Sequence, residues 1–277
     1  MATNEIPRDA ARPPAPVPPG PVGTAVRGVG AWVEFLWEAL RGVVTSGPHV
    51  SESMRQAAQM LRGTLLFLVA MNLFMGMTTA TFGFFFLRSL GASDYLGLLS
   101  GYVIPRENAT TMFGYIFVSK VCCGFAAELG AMRTQQEIDG LEAAGVDPMR
   151  YVVGTRMVAV LLFTPIAALL GLLVQFGGSF LDGVVILQGI SPQVLVDVHW
   201  SVQTLQDQLY ALVTMMVIAV TTAATACFFG LRARGGPVEV GTATARSVLV
   251  NLILLHVIAV TFALLFYGSD VSLPIAS

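Results

Sequence analysis

The chain has 277 residues, is 55% hydrophobic and only 12% charged, and carries a formal net charge of −2. That charge content is about half the ~25% of soluble domains, and several uncharged runs exceed the roughly 20 helical residues that cross a ~30 Å hydrocarbon core. Composition therefore excludes a soluble globular domain, points away from nucleic acid as a partner, and predicts a single all-α integral membrane domain.

Residues 1–22 contain the run RPPAPVPPGP with Arg8 and Arg12, and no apolar stretch precedes residue 30. They read as a disordered or polyproline cytoplasmic tail rather than a secretory signal. Residues 28–46 are too polar to span. Trp32, Phe35, Leu36, Ala39, Leu40 and Val43 recur there at helical spacing, with Glu34, Glu38 and Arg41 on the other face. Such an amphipathic helix either lies in the cytoplasmic membrane interface or packs on the bundle. A second polar helix, 51–62, leads into the first span.

Five membrane spans are expected at about 63–88, 107–128, 156–181, 208–231 and 247–269, the second containing Lys120. Between the first two, Ser93 and Asp94 offer N-caps after Gly91 and predict a re-entrant turn or short outer helix before Arg106. Residues 182–208 hold no Lys or Arg but do hold Ser191, Pro192, His199 and Trp200. They read as an extracytoplasmic elbow near the headgroups, where Trp is favoured. The chain shows no tandem repeat.

The arginines set the orientation. Arg8, Arg12, Arg27, Arg41, Arg55 and Arg62 precede the first span; Arg133, Arg150 and Arg156 lie between the second and third; Arg232, Arg234 and Arg246 lie between the fourth and fifth. Only Arg88 and Arg106 fall in the opposite loops. Twelve against two places the N-terminus in the cytoplasm and, with five crossings, the C-terminus outside.

Motifs for chemistry are absent. There is no GxxxxGK[ST] phosphate loop, and Lys120 is the only lysine. His49, His199 and His256 are scattered, and Cys122 and Cys123 are adjacent while Cys227 is distant, so no metal spacing arises and small buried thiols are expected. The chain is read as binding no cofactor of its own. A membrane-embedded lipid-modifying enzyme is a competing class with no reactive constellation behind it.

The most informative segment is polar, ELGAMRTQQEIDGLEAAGVDPMRYVVGTR at 128–156. A helix at about 133–145 brings Ile138 and Leu141 onto one stripe with Glu137, Asp139 and Glu142 beside it; Gly145 suits its stop, Asp147 caps the next helix, and Pro148 fits that helix's first position. Residue pattern alone leaves two readings open, a rigid docking elbow or an ordinary solvated helix–turn–helix.

That segment closely resembles the signature of MlaE/YrbE-type permeases, the membrane subunits of ABC transporters that work with MCE-domain proteins. The matching residues are Ala127, Glu128, Leu129, Gly130, Met132, Arg133, Glu137, Ile138, Asp139, Leu141, Gly145, Asp147, Pro148, Tyr151, Arg156 and Ala159; Gly140 and Thr155 depart from the usual Ala and Pro. Arg106 and Glu107 are similar to the family's Arg-Glu pair, and Lys120 falls where a basic residue is common. Gly230, Gly236, Val240, Gly241 and Thr244 fit a C-terminal pattern in which Arg246 replaces the usual Val. The Pro-rich, Arg-containing tail is compatible with the actinobacterial YrbE branch.

The resemblance implies a lipid-transporting permease paired with a second, identical or different YrbE-type permease. ABC ATPase subunits would hold ATP and Mg2+ and dock on the coupling helix through Glu128, Arg133, Glu137, Ile138, Asp139, Leu141, Glu142 and Asp147. MCE proteins would form a lipid tunnel outside, and the cargo would be fatty acids, sterols or phospholipids. A non-transporting scaffold for MCE proteins is the alternative.

Charges within a membrane are costly unless paired or hydrated, which singles out Arg106, Glu107 and Lys120. They either meet a lipid headgroup or an MCE partner, or they are structural, with Glu107 pairing Arg106 or Lys120. The first span's Phe and Met residues (Phe67, Met71, Phe74, Met75, Met77, Phe82) either line a lipid path or form ordinary packing and lipid-facing surface. Asn251 and His256 are expected to hydrogen-bond between helices rather than hold ligands.

Overall fold

The computed structural model describes residues 21–45 and 49–268. Among these the helices are α1 (Pro21–Thr45), α2 (Val50–Ser89), α3 (Leu96–Val103), α4 (Ala109–Ile116), α5 (Cys123–Thr134), α6 (Glu137–Ala143), α7 (Thr155–Phe180), α8 (Pro192–Ser201), α9 (Leu205–Leu231) and α10 (Pro237–Tyr267), with no strand among them. The Pro-rich tail lies outside the described residues except for its last two positions, which begin α1 at Pro21. Four π-helical turns continue the helices, two of them joining helices end to end. Ile104–Asn108 and Phe117–Cys122 fuse α3, α4 and α5 into one rod; Met149–Gly154 precedes α7 and Leu181–Ile186 follows it. Five rods are long and apolar enough to cross a membrane: Val50–Ser89, Ser93–Thr134, Met149–Ile186, Leu205–Leu231 and Pro237–Tyr267.

Two expected breaks are missing. No helix breaker separates Arg62 from Gly63, so the polar helix and the first span form one 40-residue helix, α2. At ~1.5 Å per residue it is about twice as long as a ~30 Å core is thick, so its polar first third projects beyond the apolar layer. The outer helix before Arg106 does not stand apart either, because α3 runs straight on through the π turn. Ser93 and Asp94 cap nothing. Gly91, at φ +69°, closes α2 with Ala92 N–H donating to Leu87 O, and Ala92 occupies the cap position itself.

Glycine lets the rods touch. A Cβ on Gly76 would enter the contact shell of Gln175 O, and one on Gly178 that of Leu73 O, so α2 and α7 meet backbone to backbone. Beside this crossing Gln175 Nε2 donates to Asn72 Oδ1 at 2.9 Å, fully buried. Gly97 and Gly101, spaced as GxxxG on α3, likewise admit the backbone of α8. The main core runs through α4, α5, α7 and α9. A smaller one (Ala80, Phe84, Leu96, Ile190, Leu195) holds α3 and α8 onto α2 at the end of the bundle far from α6.

Helix α1 packs on the bundle. Ala39 is fully buried, Phe35 meets Phe228 edge-on at 5.6 Å, and Trp32 Nε1 donates to Thr225 Oγ1 at 2.9 Å. Leu40, assigned by spacing to the packed stripe, instead joins Val26, Val29, Val33 and Trp37 in an exposed apolar row. That outward row is the kind of surface an interfacial helix presents.

Candidate functional site

The α5–α6 elbow is built from opposed helix signals. Helix α5 persists to Thr134, so the expected coupling helix divides at Gln136, which adopts a left-handed φ of 62°. Across this bend Arg133 Nη1 meets Asp139 Oδ1 at 2.6 Å. Gly145 (φ +76°) ends α6 as its position foretold. Gly145 N–H donates to Glu142 O and Val146 N–H to Leu141 O, the paired bonds of a Schellman stop. Asp147 Oδ1 then accepts from Met149 N–H at 3.0 Å, and its other oxygen meets Arg150 at 3.1 Å.

Helix α6 has two faces. Ile138 is only 4% exposed and Leu141 packs on the same main core, so the apolar stripe is spent on the chain's own interior. Glu137, Asp139 and Glu142 face outward with Asp147 beyond them. Of the expected docking set, the acids are therefore placed to meet another protein and Ile138 is placed to anchor the elbow. A second brace lies where α5 meets α7. Arg156, 6% exposed, reaches Glu128 at 3.0 Å and also donates to Val152 O at 2.9 Å.

Above this brace a cavity of about 300 Å³ opens between α2, the second rod and α7. Gln56, Gln59, Met60, Lys120, Phe125 and Glu128 contribute to its wall. Two of these groups lack partners: Gln56 Oε1 is buried with no hydrogen bond, and Lys120 makes none among the described residues. The cavity thus offers one unpartnered donor, the Lys120 ammonium, at the membrane end of the elbow.

Residues 53–265 match the family model described as Permease MlaE. The chain belongs to that family. A probable ABC transporter permease protein of Synechocystis is 30% identical over 170 residues, covering 60% of this chain and 63% of its own length. A probable ABC transporter permease protein of Rickettsia typhi is 23% identical over 227 residues, 82% of this chain and 87% of its own. The intermembrane phospholipid transport system permease protein MlaE of Haemophilus influenzae is 27% identical over 150 residues, 54% of this chain and 58% of its own.

In this MlaE-family chain the intramembrane charges do not pair with one another, which corrects the structural alternative read from sequence. Arg106 reaches Asp207 at 3.0 Å and lies between the rings of Tyr102 (3.6 Å) and Tyr267 (4.4 Å). It is a lock between rods rather than a group on an open path. Glu107 is exposed and accepts from Thr111 at 3.1 Å. Lys120 sits in a different π turn and lines the elbow-end cavity.

Sequence reasoning missed Asp207, although two signals pointed to it. Thr204 and Asp207 form a reciprocal capping box at the start of α9, and an arginine inside a span requires an acid somewhere.

The Phe/Met stripe divides three ways. Met71 packs on the main core, and Phe74 faces outward. Met75 lines a shallow groove of about 260 Å³ with Phe82, Leu99 and Val103, beside the Asn108–Thr79 hydrogen bond. Asn251 donates to Thr222 O across α9 and α10, and His256 meets Tyr115 OH at 2.8 Å, as interhelical bonders do. Cys122 and Cys227 are buried, Cys123 is half-buried, and no metal-binding cluster occurs among the described residues.

Proposed function

We propose that this chain is the membrane subunit of an ATP-driven ABC transporter that moves lipid across the cell envelope. The carrying observation is the elbow. Its apolar face is buried in its own chain, its acidic face is exposed, and ion pairs tie it to α5 on one side and α5 to α7 on the other. The names of the relatives support the reading, since two are called ABC transporter permeases and one an intermembrane phospholipid transport permease. A separate ATPase, holding ATP and Mg2+, docks on Glu137, Asp139 and Glu142 from the cytoplasm. Movement there passes through Arg133–Asp139 into α5 and through Glu128–Arg156 into α7, the helix in closest contact with α2.

Cargo enters this reading through two surfaces. Lys120, in a span and without a partner among the described residues, suits an anionic headgroup, and the Met75–Phe82 groove suits an acyl chain. Fatty acids, sterols and phospholipids share the amphipathic character these surfaces accept. A second YrbE-type permease and extracytoplasmic MCE proteins complete the machine.

The test is charge reversal on the outer face of α6. Glu137→Lys with Glu142→Lys leaves the Arg133–Asp139 brace in place. Co-expressed with its ATPase, the variant is expected to lose about tenfold or more in ATPase capture and in lipid-coupled ATP turnover, the scale of two interfacial charge contacts. Gel filtration in detergent should show an intact chain. Undiminished lipid transfer by the variant would favour the non-transporting scaffold instead.

A further inference from the structure

At the turn from α9 to α10, Arg232, Arg234 and Arg246 surround an open groove of about 410 Å³ with Phe228, Phe229 and Glu239. The Arg232 guanidinium lies 3.8 Å from the Phe228 ring centre, and none of the three arginines has an ion pair or hydrogen bond among the described residues. The one carboxylate in the groove is already engaged, because Glu239 Oε2 accepts from Gly236 N–H at 2.9 Å and caps the start of α10. Three arginines against this single carboxylate leave the groove net positive at the boundary between a polar turn and two membrane helices. Arg246, where the family pattern has Val, stands ~14 Å along α10 from Pro237 at ~1.5 Å per residue. Beyond it Leu249, Ile253, Val257, Val260 and Leu264 form an exposed apolar row at three-and-four spacing. Arg246 carries the cation cluster from the turn onto α10, where the apolar row continues from it, so the fitting ligand has an anionic head and an acyl tail.

We propose that this groove binds an anionic phospholipid of the surrounding leaflet, its phosphate among Arg232, Arg234 and Arg246 and an acyl chain along α10. The groove shares no lining residue with the Lys120 cavity, and the inference stands whether or not the chain moves cargo. A resident lipid here ties the α9–α10 turn to the membrane surface and makes assembly sensitive to the leaflet's charge.

The experiment is native mass spectrometry of the full chain from micelles holding equal amounts of palmitoyl-oleoyl phosphatidylglycerol and phosphatidylcholine. Wild type should retain the anionic lipid with a preference of about tenfold to a hundredfold, the range expected of three arginines partly offset by one carboxylate near a lipid surface. Arg232→Gln/Arg234→Gln/Arg246→Gln should bring that preference near unity, and the corresponding triple Lys variant should keep most of it. Arg88→Gln, at the opposite end of α2, should leave it unchanged. Should the triple Gln variant fail to fold, Arg246→Gln alone should still lower the preference severalfold. No preference in wild type, or an undiminished one in the folded Gln variants, overturns the proposal. So does loss of partner-subunit capture with lipid preference intact, which would make the groove a protein dock.

Discussion

At the scale of single residues, the α2–α7 crossing rests on two hydrogens. Gly76 and Gly178 each stand where a methyl group would enter the shell of a backbone oxygen on the other helix, and neither oxygen belongs to a side chain that can swing away. Gly76→Ala or Gly178→Ala is therefore expected to push the helices apart and loosen the adjacent Asn72–Gln175 bond. Overpacking of this kind costs about 1–3 kcal/mol. Gly177→Ala, whose Cβ would meet nothing within 4 Å, serves as the neighbour that changes little. Heating in detergent followed by size exclusion would show the first two failing several degrees earlier; identical profiles for all three would refute the argument. Nothing in the sequence distinguishes Gly178 from Gly177, since which glycine meets a backbone is a property of the crossing. Gly145 and Asp147 were legible because a helix stop and the next turn's acceptor are written two positions apart. The Arg106–Asp207 pairing was not, because it joins distant segments through a π turn.

At the scale of elements, hydropathy revealed the five rods but not their phase. A π turn inserts one extra residue and rotates all that follows by roughly a third of a turn, and such turns gather at functional sites. Arg106, Glu107, Lys120 and Asp182 all lie in them, so helical spacing through those points misassigns faces. Helix α8 shows a different hidden device. His199 is 1% exposed, with Nδ1 2.9 Å from Ser100 Oγ and Nε2 3.0 Å from the Gln203 amide nitrogen. Ser100 in turn donates to Gly97 O, so the network assigns the proton to Nδ1 and leaves Nε2 as acceptor.

Burial pushes the His199 pKa from 6.5 down to about 4. Opening α8 restores the ordinary value, so between those limits the open form binds the extra proton. The stabilisation is complete above about pH 6.5 and drains away as pH falls toward 4. Hydrogen exchange of the α8 amides, corrected for intrinsic rates, should accelerate between pH 7 and pH 4.5 in wild type, and His199→Gln should flatten that dependence. A wild-type opening rate indifferent to pH across this range would remove the histidine from the account.

At the scale of the whole molecule, 61% of the most apolar stretch of α9 is buried inside the chain against 22% in α2 and 17% in α10. Helix α9 is the axle, and α2 and α10 leave broad faces for lipid or another subunit. The number of crossings was readable because hydrocarbon thickness fixes length; which rod is central was not, because every span is apolar. The arginines add a direction to this frame. Arg133, Arg150, Arg156, Arg232 and Arg234 lie at the elbow end, with Arg55 and Arg62 on the projecting third of α2, whereas Arg88 lies at the other end and Arg106 is locked on Asp207. Basic residues flanking short loops are retained in the cytoplasm. A green fluorescent protein fused at the N-terminus should therefore shine, one at the C-terminus should stay dark, and alkaline phosphatase at the C-terminus should be active. The reverse pattern would do more than invert the topology: it would place α6 where no ATPase can reach it, and the acidic face of the elbow would then need an extracytoplasmic partner.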